Sequence, residues 1–96
     1  MNGREPVNLR DSQPEFAAAR TALAELYIKT NQAQAGLDEL RAVSRLQAEN
    51  AAVWERIGDV EKSLNHAAEA RDAYATALKL DAEKADQKRV RTKMAF

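Results

Sequence analysis

The amino-acid sequence predicts an all-α protein built from paired helices, and three observations support this. Apolar residues make up 45% of the chain, but they are mostly Ala and Leu, which favour helices, whereas the strand-favouring Val and Ile are scarce. Apolar positions recur at helical spacing in successive segments separated by short polar breaks. The chain also repeats itself at an offset of 34 residues. Because a lone helix pair cannot bury its apolar stripe, such repeats stack on one another.

The chain opens with a polar lead-in, residues 1–13, whose turn-favouring residues predict a mobile segment. Ser12 and Glu15 then have the spacing of a capping box, and Pro14 suits a first helical turn. A first helix is predicted from Phe16 to about Lys29.

Four further helices are predicted, at about 33–46, 51–63, 67–80 and from about 83 toward the C-terminus. The first break contains Asn31, and Asn tolerates the left-handed conformation that ends a helix. We divide the chain into the lead-in 1–13, a first repeat 14–50, a second repeat 51–84 and a C-terminal capping helix 85–96.

The repeat is visible as identity between residues 17–50 and 51–84. Eight positions are identical: Ala17/Ala51, Ala18/Ala52, Asn31/Asn65, Ala33/Ala67, Asp38/Asp72, Leu46/Leu80, Ala48/Ala82 and Glu49/Glu83. The second unit carries the motif Trp54, Ile57, Gly58, Ala70, Tyr74 and Ala77. Its small residues, Gly58 and Ala70, would let two helices approach closely while larger side chains fill the gaps. The first unit has weaker counterparts at Leu23, Ala24, Tyr27, Gly36, Leu40 and Val43.

The period and these motifs resemble the tetratricopeptide repeat (TPR) family over residues 14 to about 84. The resemblance implies two antiparallel helix pairs stacked into a short right-handed superhelix (a TPR-like solenoid), followed by the capping helix. It also implies a protein-binding role. The sequence departs from the family pattern in that Arg20 replaces Trp, Glu61 replaces Tyr, and Ala48 and Ala82 replace the usual turn Pro.

The resemblance further implies a concave groove lined by the first helix of each pair. Carried over residue by residue, the groove positions include Thr21, Glu25, Ile28, Glu55, Asp59 and Lys62, with Arg89 and Lys93 from the fifth helix. Two acids, Glu55 and Asp59, are four residues apart, a spacing at which like charges repel. The sequence leaves two sources of relief open: Lys62, or a basic ligand.

One ligand class is excluded by the residues present. The TPR subclass that clamps the C-terminal carboxylate of chaperone tails requires Lys, Asn, Asn, Lys and Arg in its groove. The corresponding positions here are Thr21, Glu25, Arg56, Asp86 and Val90, and none matches. We therefore do not expect a chaperone-tail partner.

Catalytic, metal and cofactor chemistry are not expected. The chain has no Cys, its Gly residues are too scattered for a phosphate loop, and His66, its one histidine, falls in a predicted solvated turn. Fifteen basic and fifteen acidic residues balance, which gives no global attraction to nucleic acid or anionic membranes. No apolar run approaches the length of a membrane span.

The C-terminal segment is locally basic, with Lys84, Lys88, Arg89, Arg91 and Lys93 against one acid, Asp86. A polar capping helix is the favoured interpretation, because terminal repeats need a soluble outer face. The alternative is contact with nucleic acid or an acidic protein.

The expected function is therefore that of an adaptor that binds another protein or peptide whose identity the residues do not specify. The alternative is self-association. In the first pair, Phe16, Leu23, Leu26 and Tyr27 have no preceding pair to cover them. Either an upstream repeat of a longer protein covers this flank, or a second copy does, and in the latter case a weak homodimer is predicted. A cytoplasmic location is the default, and a periplasmic one is open if the chain belongs to a larger protein.

Overall fold

The computed structural model describes residues 14–80 and 84–95, with side chains at 16–80 and 87–95, and every regular element there is an α-helix. The helices are α1 (Pro14–Lys29), α2 (Ala33–Leu46), α3 (Ala51–Ser63), α4 (Ala67–Leu80) and α5 (Lys84–Met94). The prediction of an all-α protein is confirmed. The predicted lead-in 1–13, Ser12 of the capping box and residues 81–83 lie outside the described residues.

Two helix ends share one geometry at the same place in the repeat. Asn31 and Asn65 have φ values of 67° and 65°, the left-handed conformation that Asn tolerates. The N–H of Gln32 donates to the Tyr27 carbonyl at 2.8 Å, and the N–H of His66 donates to the Glu61 carbonyl at 2.9 Å. These bonds satisfy carbonyls that a helix end would otherwise leave unpaired, so each first helix of a pair stops at its Asn.

Consecutive helices pack in chain order, with closer packing within the pairs α1/α2 and α3/α4 than between α2 and α3 or α4 and α5. One glycine permits each close approach. A Cβ on Gly58 would lie 2.6 Å from Cε1 of Tyr74, and one on Gly36 would lie 2.8 Å from Cγ1 of Ile28. Gly58 lies on α3, the first helix of its pair, whereas Gly36 lies on α2, the second helix of its pair.

The main apolar core joins the first four helices. Its buried members are Ala17, Ala24, Leu37, Leu40, Val43, Val53, Ile57, Val60 and Ala73. A smaller cluster of Ala70, Tyr74 and Val90 attaches α5 to α4. Among the described helices, none is long and apolar enough to cross a membrane.

Candidate functional site

Helices α1 and α3 are joined by a two-pronged ion pair between predicted groove residue Glu25 and Arg56. Arg56 donates from Nε to Glu25 Oε2 at 2.7 Å and from Nη2 to Oε1 at 2.6 Å. The hydrogen bond from Arg56 lowers the pKa of Glu25, against a smaller opposing effect of burial. Both side chains remain more than a third exposed, so the pair lies at a surface that a ligand can reach.

Helices α3 and α5 are joined by a second ion-pair cluster. Arg89 donates from Nε and Nη2 to the two oxygens of Glu55, at 2.9 and 2.7 Å. Lys93 Nζ lies 2.7 Å from the same carboxylate and 3.2 Å from Oδ2 of Asp59. The Arg89 hydrogen bonds, reinforced by Lys93 and opposed by burial, lower the pKa of Glu55 to about 2. Glu55 is therefore ionised throughout the physiological pH range.

Cations that neither predicted alternative named contact Glu55 and Asp59. The contacting cations are Arg89 and Lys93 of α5, with Arg56 Nη1 4.0 Å from Asp59. Lys62 donates to the backbone carbonyl of Lys93 at 3.3 Å. The missed signal was the repeat period itself. Glu55 and Arg89, and likewise Asp59 and Lys93, are 34 residues apart, so equivalent positions of successive units face each other.

Asp59 is also held from the neighbouring helix of its own pair. The hydroxyl of Tyr74 donates to Asp59 Oδ1 at 2.6 Å. Burial of this phenol, together with the hydrogen bond to the ionised Asp59, raises its pKa. We use the name inter-repeat charge network for Glu25, Glu55, Arg56, Asp59, Arg89 and Lys93. The network connects α1, α3 and α5 through side-chain contacts.

The remaining predicted groove residues on α1 lie beside this network. The Thr21 hydroxyl donates to the Ala17 carbonyl at 2.9 Å. An opening of about 270 Å³ lies between α1 and α3, lined by Thr21, Glu25, Leu40, Gln47, Asn50, Ala52, Val53 and Arg56. Ile28 is half-buried and lines a separate opening near Ser63 and Leu64. The predicted groove residues of α1 therefore border two separate openings, one beside Glu25 and Arg56 and one beside Ile28.

A second concavity, which the sequence did not predict, lies among α2, α3 and α4. The cleft measures about 370 Å³ and is lined by Arg41, Ser44, Arg45, Trp54, Ile57, Glu61, Glu69, Asp72, Ala73 and Thr76. The Glu61 side chain is only 2% exposed and is contacted by the Arg41 guanidinium, while His66 Nδ1 lies 2.7 Å from Glu61 Oε1. The sequence signal that could have predicted this buried charge is that position 61 has Glu where the repeat motif has Tyr. His66 is exposed in its turn, as predicted.

The repeat-motif residues fall into two groups. Buried members are Ala24, Gly36, Leu40, Ile57, Gly58, Ala70, Tyr74 and Ala77. Tyr27 and Trp54 are half-buried, and Leu23 is 38% exposed. The Trp54 indole donates to the Ala48 carbonyl at 3.0 Å, which holds the ring at the border of the cleft.

Within the part of the chain that the structure describes, no group of three or more His, Asp or Glu residues is placed to hold a metal ion. Neither a scan against protein-family models nor a search of the curated proteins finds a match to this chain.

Proposed function

We propose that this protein is a TPR-like superhelical module that holds a peptide or a partner helix on the face formed by α1, α3 and α5. The inter-repeat charge network is the observation that supports this most directly. It joins side chains of α1, α3 and α5, and such contacts between successive first helices support a stack of repeats that presents those helices to a ligand.

The charges of this face define the ligand that it would accept. Each acid of the network already contacts a cation from the next helical unit, so the face is close to electrically balanced. A purely basic peptide would have to displace Arg56 or Lys93 without compensating either one. A segment that carries both an acid and a base can instead pair with both members of an exposed ion pair.

The opening beside Glu25 and Arg56 is the part of this face best suited to hold such a segment. The amides of Gln47 and Asn50 border it, and their side chains hydrogen-bond to each other at 3.0 Å. Amide side chains donate and accept, so they suit the backbone of an extended segment. We therefore place a mixed-charge peptide across α1 and α3 at this end.

Nucleic-acid binding through α5 is the less favoured alternative. Two of its cations, Arg89 and Lys93, contact Glu55 and Asp59, and such pairing reduces the positive potential available to phosphates. Lys88 and Arg91 are exposed on the same helix, so this alternative has a specific test.

A charge-swap experiment tests the proposed site. The double variant Glu25→Arg with Arg56→Glu preserves an ion pair between α1 and α3 but reverses its polarity. It should lose the partners that the wild-type chain captures from its parent cell. The matched control is Arg20→Glu with Glu39→Arg, which reverses the 2.9 Å ion pair between α1 and α2. The control should retain those partners.

Circular dichroism of both swaps must show intact helices for this comparison. Equal capture by the two swaps would refute the α1/α3/α5 site. Tight binding of single-stranded DNA at physiological salt, lost in Lys88→Ala with Arg91→Ala, would instead favour the nucleic-acid alternative.

A further inference from the structure

We infer that the cleft among α2, α3 and α4 binds a free α-amino acid with an aliphatic side chain, which is a small zwitterion with an apolar body. The cleft is separate from the proposed ligand site on α1, α3 and α5. Its volume of about 370 Å³ lies at the small end of the roughly 300–1,000 Å³ typical of sites for small molecules. It therefore suits a ligand of amino-acid size.

The floor of the cleft is apolar and largely fixed. Trp54 and Ile57 of α3 and Ala73 of α4 line it, and Ile57 and Ala73 are only 3% and 5% exposed. The half-buried ring of Trp54 is held by its hydrogen bond to the Ala48 carbonyl. An aliphatic side chain that leaves water for this floor gains hydrophobic free energy, and little of it is spent on ordering the site.

The buried carboxylate of the cleft already has its partners. The Glu61 side chain is 2% exposed, is contacted by the Arg41 guanidinium and accepts a contact from His66 Nδ1 at 2.7 Å. A buried charge needs such pairing, and here the protein itself supplies it. The charged groups of a ligand are therefore expected to meet the exposed side chains at the rims of the cleft.

The two rims of the cleft carry opposite charges. Arg45 stands on the α2 rim, whereas Glu69 and Asp72, three residues apart on one face of the helix, stand on the α4 rim. All three side chains belong to exposed residues. Among the described residues, no ion pair joins α2 to α4 or engages any of these three. A ligand in the cleft therefore meets a guanidinium on one side and carboxylates on the other.

This polarity favours a ligand that carries both charges. An ammonium group can pair with Glu69 or Asp72, and a carboxylate can form a two-pronged contact with the Arg45 guanidinium. A simple cation would gain nothing from the α2 rim, and a simple anion would be repelled by the α4 rim. An aliphatic amino acid matches both rims and also covers the apolar floor.

The single tryptophan of the chain can report binding directly, because Trp54 lines the cleft. Titration of the full chain with leucine should change the Trp54 fluorescence in a saturable way, and calorimetry should give the same affinity. Isopentylamine is leucine without its carboxylate, and 4-methylpentanoate is leucine without its ammonium group. Each should bind about three- to fivefold more weakly, the effect expected when one solvent-exposed ion pair is lost. N-acetylleucinamide, in which both charges are blocked as they are within a peptide, should bind more weakly still.

Variants that remove charge assign each rim to one end of the ligand. Arg45→Gln should weaken leucine binding about three- to fivefold but should not weaken isopentylamine, which has no carboxylate. Glu69→Gln with Asp72→Asn should weaken leucine and isopentylamine but not 4-methylpentanoate. The matched control is Asp38→Asn, because Asp38 is the exposed counterpart of Asp72 one period earlier and does not line the cleft. The control should bind leucine as the wild type does.

Several outcomes would overturn the inference. One is the absence of a saturable response to leucine up to about 10 mM, an affinity too weak for a specific site. Another is equal affinity for leucine and isopentylamine, which would make the cleft a site for cations alone. Equal affinity for leucine and N-acetylleucinamide would show that charge is not recognised, and equal weakening by Asp38→Asn and the Glu69/Asp72 variant would place the effect outside the cleft. The Glu25/Arg56 swap should leave leucine binding unchanged, so the two proposals can fail separately.

Discussion

The two helix pairs, α1/α2 and α3/α4, are related by the same period but differ in what surrounds them. Val60 of α3 is 2% exposed, whereas its counterpart Leu26 of α1 is 56% exposed. The residue types are similar, but Val60 is covered by a core that includes Leu37, Leu40 and Val43 of α2. Position in the stack, and not the side chain itself, decides whether a repeat residue belongs to the core or to the surface.

The two pairs also differ in which of their helices carries the glycine. The first pair combines Ala24 with Gly36, and the second combines Gly58 with Ala70. Each pair thus carries one glycine and one buried alanine at equivalent repeat positions. In both pairs the glycine lets an atom of the neighbouring helix approach more closely than a Cβ would allow.

The largest difference in the free energy of unfolding should come from replacing each of the two glycines with leucine. Gly58→Leu should reduce the free energy of unfolding by about 3 kcal/mol, because three ring atoms of the fully buried Tyr74 lie within 3.0 Å of the added Cβ. Gly36→Leu should cost less, because its added Cβ meets one atom under 3.0 Å, Ile28 Cγ1, although the Ala24 carbonyl oxygen at 3.0 Å must also shift. Urea unfolding followed by circular dichroism measures both. Equal losses would mean that the second pair is no more tightly packed than the first.

A stability effect of intermediate size should distinguish Val60, on the covered face of α3, from Leu26, on the exposed face of α1. Val60→Ala should cost about 2 kcal/mol through lost burial and a small cavity, while Leu26→Ala should cost less than about 0.5 kcal/mol in dilute solution. Urea unfolding of both variants in dilute solution, followed by circular dichroism, measures the two costs. A large cost in dilute solution would show that Leu26 is already covered in the monomer.

The smallest predicted effect is on the stability of the protein at acid pH, and it compares Glu55 with Glu25 of the charge network. Because the Glu55 pKa is depressed to about 2, its stabilising contribution is complete above about pH 4.5 and is lost as the pH falls toward 2. Glu55→Gln should therefore lower stability at pH 7 by about 1 kcal/mol and flatten its decline below pH 4.5. Glu25→Gln should do the same to a smaller extent, since the Glu25 pKa is also lowered but its side chain is 38% exposed against 12% for Glu55. Thermal unfolding from pH 7 to 2 measures both, and a steeper acid loss in Glu55→Gln than in the wild type would contradict the assignment.

Most helix boundaries were predictable because they depend on local residues. Apolar spacing and Asn31 placed the first break, and the repeat carried the same geometry to Asn65. The predicted α2, α3 and α4 match the observed bounds, and α5 begins at Lys84, next to its predicted start at about 83. Helix ends of this kind are decided within a few residues of chain, so sequence patterns report them well.

The candidate site was less predictable. The resemblance pointed to Glu25, Glu55, Asp59, Arg89 and Lys93 as groove residues, yet it did not indicate that they would pair with each other and with Arg56. Nor did it predict the cleft between α2 and α4 or the contact of Arg41 with Glu61. Ion pairs need donor and acceptor atoms within about 4 Å, and a small rotation of one helix on another changes which partners meet.

The sequence by itself determined the secondary structure and the 34-residue equivalence of positions, since both follow from local preference and repetition along the chain. The tertiary structure alone decided which equivalent residues are covered and which charges meet. Leu26 and Val60 occupy the same repeat position, but Val60 is buried in the core with residues of α2, whereas Leu26 is exposed. Asp59 contacts Lys93 and Tyr74 because α4 and α5 bring a cation and a phenol to the same carboxylate, an arrangement that depends on how the helices stack.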